Sequence, residues 1–212
     1  AGTLEEPAAT GQEVAVGVED QTTHGDAGPT PSPRRIAGSR RGLEDEFASA
    51  AKSVLQGEPE LALIAVARMR NFDLREGWLS VADQLEAWAW LQRGDLHAAE
   101  PFIDQVPANT VARRCLELGR TLVERDGALT EVPHEVAHLA ATGAVDQEAD
   151  GGGAVALSVL AAEVARRGGA GAIGAELRSE GAGEGASGAL NWLSERLRIA
   201  GLTDAAGMLE AT

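Results

Sequence analysis

Two glycines, 37 residues apart, interrupt the most regular apolar pattern in the chain, and they constrain the fold more than any other feature. Before Gly57, apolar residues recur at three- and four-residue steps, and the same helical period resumes after it. Gly94 interrupts a second such stretch. Each glycine is followed by an alanine five residues later and a large apolar residue nine residues later: Ala62 and Val66, then Ala99 and Ile103. The spacing predicts two superimposable helical hairpins, because glycine permits a tight turn and a small residue permits close helix packing.

The composition favours helices along the rest of the chain. Aromatic residues make up only 3% of it, and Ala, Leu, Glu and Arg are frequent while β-branched residues are sparse. We therefore predict an all-α fold with helical-hairpin repeats over 43–142 and C-terminal helices with Gly-rich loops over 143–212. Asp150 to Gly153 is predicted to be a loop, and the glycines between 168 and 188 predict a loose stretch.

Residues 1–42 show no helical period. Their acidic residues give way to Arg34, Arg35, Arg40 and Arg41 after a proline-rich run at 28–33. Such a segment cannot bury enough apolar surface to offset the entropy of ordering it. We predict a disordered, acidic-then-basic tail. Its basic end is interpreted as a solvated linker, with a docking motif as the alternative.

The net charge excludes two classes of partner. Acidic residues outnumber Lys and Arg by 33 to 18, which gives a formal charge of -15. Nucleic acid and anionic membrane surfaces bind clusters of Lys and Arg, so we expect neither as a partner. The sequence shows no apolar stretch of membrane-spanning length. The single cysteine, Cys115, is expected to be a buried apolar residue. So few cysteines also favour a cytoplasmic protein.

One segment carries a family resemblance. Residues 85–106 read LEAWAWLQRGDLHAAEPFIDQV. This run resembles a tetratricopeptide repeat. Ala87 and Trp90 occupy the small and the aromatic position of the first helix, and Gly94 occupies the turn. Ala99 and Ile103 occupy the small and the bulky apolar position of the second helix. The resemblance is clearest over 78–107 and weaker over 43–70, 113–141 and 189–210. It implies an α-solenoid of stacked helix pairs whose concave surface binds a peptide or a partner helix.

The segment His134-Glu135-Val136-Ala137-His138 matches the zinc signature H-E-x-x-H. In that signature two histidines one helical turn apart bind the metal, and the glutamate activates a water molecule. A hydrolase of this kind would use His134 and His138 as ligands and Glu135 as the general base. Glu163, 25 residues after His138 on the next predicted helix, would supply a third ligand.

Other observations favour a solvated helix without a metal. Pro133 precedes the first histidine and suits the first turn of a helix. Val132, Val136, Leu139 and Ala140 form the predicted buried stripe, which leaves both histidines on the opposite face. We therefore expect no cofactor and keep a zinc-dependent hydrolase as the alternative.

The leading functional hypothesis is a protein-protein interaction module. Partner contacts in a helical repeat come chiefly from the first helix of each pair, so we expect Gln84 and Arg93 to be exposed and to bind a protein or peptide. A structural subunit of a larger assembly is a further alternative. A short stack of repeats leaves the helices at its ends uncovered, and a second copy of the chain could cover them. We therefore also consider a homo-oligomer.

Overall fold

The computed structural model describes residues 40–125, 128–142, 152–179 and 184–211. Over these ranges the chain forms ten α-helices and no strand, which confirms the predicted all-α class. None of the described helices is long and apolar enough to cross a membrane. A single 3-10 turn, Ala128–Thr130, precedes the sixth helix. The helices are α1 (Arg40–Gln56), α2 (Pro59–Met69), α3 (Glu76–Gln92), α4 (Leu96–Gln105), α5 (Val111–Glu124), α6 (Val132–Ala141), α7 (Gly152–Arg166), α8 (Ala170–Ser179), α9 (Glu184–Ile199) and α10 (Thr203–Ala211).

Four helices end in the same glycine turn. The glycine has φ between 74° and 86° in each case, at Gly57, Gly94, Gly168 and Gly201. Its N–H donates to the carbonyl three residues back, and the next N–H donates to the carbonyl five residues back, over 2.8 to 3.1 Å. This pairing is the Schellman motif, and the next helix begins two residues after every glycine. The predicted equivalence of Gly57 and Gly94 is confirmed, and Gly168 and Gly201 add two further turns of the same kind.

Three of these turns join helices that pack on one another. The pairs are α1 with α2, α3 with α4, and α9 with α10. Ala62 and Ala99, the small residues predicted to permit close packing, are fully buried, and so is Ala206 in the last pair. The structure therefore confirms packed helix pairs over these segments.

The middle of the chain departs from a simple stack. α5 packs on α7 and α6 packs on α8, whereas α5 and α6 contact each other little, unlike the hairpin expected over 113–141. Gly119 brings α5 against α3, since a Cβ there would lie 2.6 Å from the Trp88 ring. α1 also contacts α7, although a solenoid repeat contacts only its neighbours.

α7 is the most enclosed helix of the described chain. Eleven of its fifteen residues are buried, mostly Ala, Val and Leu. It contacts α1, α3, α5, α6 and α9, so helices on both sides of residue 142 share one core. Alanine and glycine make this arrangement possible, because their small side chains allow several helices to approach one axis.

Several predicted boundaries are wrong. Residues 1–39 of the predicted tail lie outside the described residues, but residues 40–42 belong to α1, where Arg40 pairs with Glu44 at 2.9 Å. α7 begins within the predicted loop, at Gly152, whose carbonyl accepts a hydrogen bond from a buried side chain. The stretch predicted to be loose contains α8 and the start of α9. Burial of Ile173 and Leu177 offsets the low helix propensity of its glycines.

Replacement of Gly94 by alanine tests the backbone role of the turns. A Cβ at Gly94 would meet nothing within 4 Å, so only the left-handed φ opposes alanine. We expect Gly94→Ala to lower the free energy of unfolding by about 1 kcal/mol in chemical denaturation.

The matched control is Gly188, where a Cβ would likewise meet nothing within 4 Å but the residue lies within α9. Gly188→Ala should raise the free energy of unfolding by about 0.5 to 1 kcal/mol, because alanine is the better helix former. Equal effects at the two sites would contradict the assigned turn geometry.

Candidate functional site

The H-E-x-x-H segment lies on α6, and Pro133 is the second residue of that helix, as its position in the sequence predicted. Val132 and Val136 are buried, whereas His134 and His138 are exposed on the other side. The predicted orientation of the histidines is confirmed. The buried stripe is completed by Pro133 and Ala137, while Leu139 and Ala140 are only half-buried.

Two polar side-chain contacts connect this segment to neighbouring helices. The His134 Nδ1 atom lies 2.9 Å from a carboxylate oxygen of Glu176 on α8. The Glu135 carboxylate lies 3.4 Å from the guanidinium of Arg114 on α5. All four side chains are at least one-third exposed, so these pairs contribute little to stability.

Both pairs lie in an open cleft between α5, α6 and α8 with a volume of about 610 Å³. Its base includes the buried residues Leu118 and Val132. Its walls carry hydroxyl, guanidinium, imidazole and carboxylate groups, from Arg114, Thr121, Arg125, Thr130, Glu131, His134, Glu135 and Glu176. The cleft therefore offers hydrogen-bond donors and acceptors above a small apolar floor.

Glu163 does not join the histidines. One oxygen of its carboxylate accepts hydrogen bonds from Gln92 Nε2 at 2.7 Å and from Arg166 Nη1 at 2.6 Å. Gln92 also donates to the carbonyl of Val54 at 2.7 Å, and Arg166 donates to the carbonyl of Leu55. Glu163 thus orients the two side chains that cap the C-terminal end of α1.

The predicted zinc ligand set of His134, His138 and Glu163 is therefore not assembled. Among the described residues, no three His, Cys, Asp or Glu side chains are placed to hold a metal ion together. The spacing of two histidines on one helix depends only on local geometry. A third ligand from α7 depends on how that helix packs, and its contact with α3 places Glu163 beside Gln92.

The expectation that Gln84 is exposed is wrong. Its side chain is 2% exposed, and its Nε2 atom donates to the carbonyl of Gly152 over 2.8 Å. Gln84 joins α3 to the start of α7 and is not available to a partner. Arg93 is exposed, and its guanidinium stacks on the Trp90 ring, 4.8 Å from the ring centre.

Sequence reasoning missed Glu176 and Arg114. Glu176 lies 42 residues from His134, in a segment where glycines suggested a loose stretch, and Arg114 lies on a helix whose pairing was predicted differently. The period of α5 was a usable signal, because it places Arg114, Leu118 and Thr121 on one helical face. No sequence pattern within a single helix indicated which other helices complete the cleft.

Comparison with protein-family models, curated proteins and solved structures gives no match to this chain. Over the described residues, the structure shows an all-helical architecture with packed helix pairs.

Replacement of Glu163 tests its structural role. Glu163→Ala removes the acceptor of two partly buried donors, so we expect the free energy of unfolding to fall by about 2 kcal/mol. Glu124→Ala is the control, because it removes an exposed pair with Arg120 on a single helix. That variant should change stability by less than about 0.5 kcal/mol. Similar values for both variants would show that Glu163 does not anchor α1.

Metal analysis tests the hydrolase alternative. The purified full chain should contain no stoichiometric zinc, because two exposed histidines without a third ligand bind zinc weakly. The His138→Ala variant should have the same zinc content. Tight one-to-one zinc binding that this substitution abolishes would restore the hydrolase hypothesis.

Proposed function

We propose that the protein is an interaction module that binds a peptide segment of a partner protein in the cleft between α5, α6 and α8. The observation that carries this proposal is the combination of size and polarity in the cleft. Its volume of about 610 Å³ lies within the range of pockets that bind ligands in proteins. The packed helix pairs and their repeated turns support a tetratricopeptide-like binding role, with helices presenting side chains to an extended partner.

The ion pair between Arg114 and Glu135 suits exchange with a partner. Arg114 and Glu135 are 3.4 Å apart with side chains 50% and 34% exposed, so separating them costs little. An incoming carboxylate can take the place of Glu135 beside Arg114, and an incoming Lys or Arg can bind Glu176. Leu118 and Val132 also line the cleft and give it a small apolar patch. We therefore propose a peptide of mixed charge with an apolar side chain.

Charge reversal at Arg114 tests this proposal. A randomised peptide library displayed on phage would be selected on the full chain, and affinities of the selected peptides would be measured by fluorescence polarisation. Arg114→Glu should weaken binding at least about tenfold, equivalent to about 1.4 kcal/mol, because it places a carboxylate where the peptide's own carboxylate binds.

Arg120 provides the matched control. It lies on the same helix with a similar exposure but does not line the cleft. Arg120→Glu should leave the affinity within about twofold of the original. Loss of binding in both variants would indicate a general charge effect, and unchanged binding in both would place the peptide elsewhere; either result contradicts the proposal.

A further inference from the structure

A second surface, on α2, is independent of the cleft. Leu61 and Ile64 are 53% and 51% exposed, and Ala67 is exposed as well. At 100° per residue these three residues fall on one stripe about 120° wide. The buried residues of α2 face its neighbours α1 and α3, so this apolar stripe is the outer face of the helix.

One acidic and one basic side chain flank the stripe. Glu60 lies four residues before Ile64 and Arg68 four residues after it, and their side chains are 71% and 63% exposed. Each has a long contact within the chain, since Glu60 lies 3.8 Å from Arg93, and Arg68 lies 3.8 Å from Glu46. Exposed pairs at this distance contribute little, so both charges can pair with other groups.

These positions make the face complementary to itself. A two-fold axis beside Ile64 sets two copies of α2 antiparallel, and residues at equal distances on either side of Ile64 then lie at the same level along the two helices. Glu60 and Arg68 lie about 6 Å along the helix from the axis and within about 40° of Ile64, so Glu60 of one copy can pair with Arg68 of the other. Leu61 and Ala67 lie on the two sides of Ile64 and widen the apolar contact around the axis. We propose that α2 is a homodimer interface, occupied by a second copy of this chain.

The equivalent helix of the next pair lacks this pattern. The 37-residue spacing of the turns aligns α2 with α4, and it aligns Leu61 and Ile64 with Ala98 and Pro101. Glu60 and Arg68 correspond to His97 and Gln105. Large aliphatic side chains between opposite charges are therefore specific to α2 and are not a consequence of the hairpin. The helices at the outside of a repeat array need a polar face for solubility. The outer face of α2 is apolar instead, and a second copy would cover it.

Sedimentation velocity of the full chain over about a hundredfold concentration range tests the proposal. We expect concentration-dependent dimers of modest affinity, since one short helix per copy gives a small interface. Ile64→Asp should abolish dimerisation by burying charge at the axis. Met208→Asp is the control, because it alters an equally exposed apolar residue on α10 and should leave the dimer unchanged.

Charge reversal distinguishes this face from other modes of association. Glu60→Arg gives a face with two positive ends, and Arg68→Glu gives a face with two negative ends. Each variant alone should dimerise at least about tenfold more weakly. When mixed, the two variants should form a heterodimer of nearly the original affinity, because both cross-contacts are again between opposite charges. Circular dichroism of each variant verifies that it is folded.

Three results would overturn the proposal. They are a full chain that stays monomeric throughout, a dimer that Ile64→Asp leaves intact, and a mixture of the reversed variants that does not recover. If another segment of the same chain covered this face of α2, the chain would stay monomeric. The test does not involve peptide binding, so its failure would leave the proposal for the cleft intact.

Discussion

The enclosure of α7 is the constraint on which the rest of the fold depends. Eleven of its fifteen residues are buried, and helices from both halves of the chain pack around it. Such a helix can expose polar groups only at its ends, and there they connect it to other helices. Gln84 binds the carbonyl of Gly152 at one end, and Glu163 and Arg166 lie at the other, where Arg166 caps α1. Burial makes these contacts necessary, because an unpaired polar group in a core costs about 1 to 3 kcal/mol.

The cleft follows from the way α7 separates its neighbours. α5 packs on α7, and α6 packs on α8, so α5 and α6 do not close on one another as a hairpin would. The gap between them contains Arg114 and Glu135, with Glu176 at the side contributed by α8. A departure from regular repeat packing thus creates the concave surface that supports the proposed binding of a peptide.

The two proposed binding surfaces differ in their chemistry. The cleft is lined by partly exposed charged and polar side chains around a small apolar patch, which suits a partner of mixed charge. The outer face of α2 has an apolar centre between one acidic and one basic residue, Glu60 and Arg68, which suits its own copy. They lie on different helices, α2 for the outer face and α5, α6 and α8 for the cleft. Dimerisation through α2 and peptide binding through the cleft can therefore occur together in one assembly.

The sequence by itself determined the first two helical hairpins and their turns. The period around Gly57 and Gly94 depends on residues within one or two helical turns, and the positive φ that glycine permits is a local property. The exposure of His134 and His138 followed from the period of α6 in the same way. Only the tertiary structure decided which helices meet. The burial of Gln84, the hydrogen bond between Gln92 and Glu163, and the pairing of His134 with Glu176 depend on contacts between residues 42 to 71 positions apart. No local pattern specifies such contacts, because they depend on how the small side chains of α7 let several helices share one core.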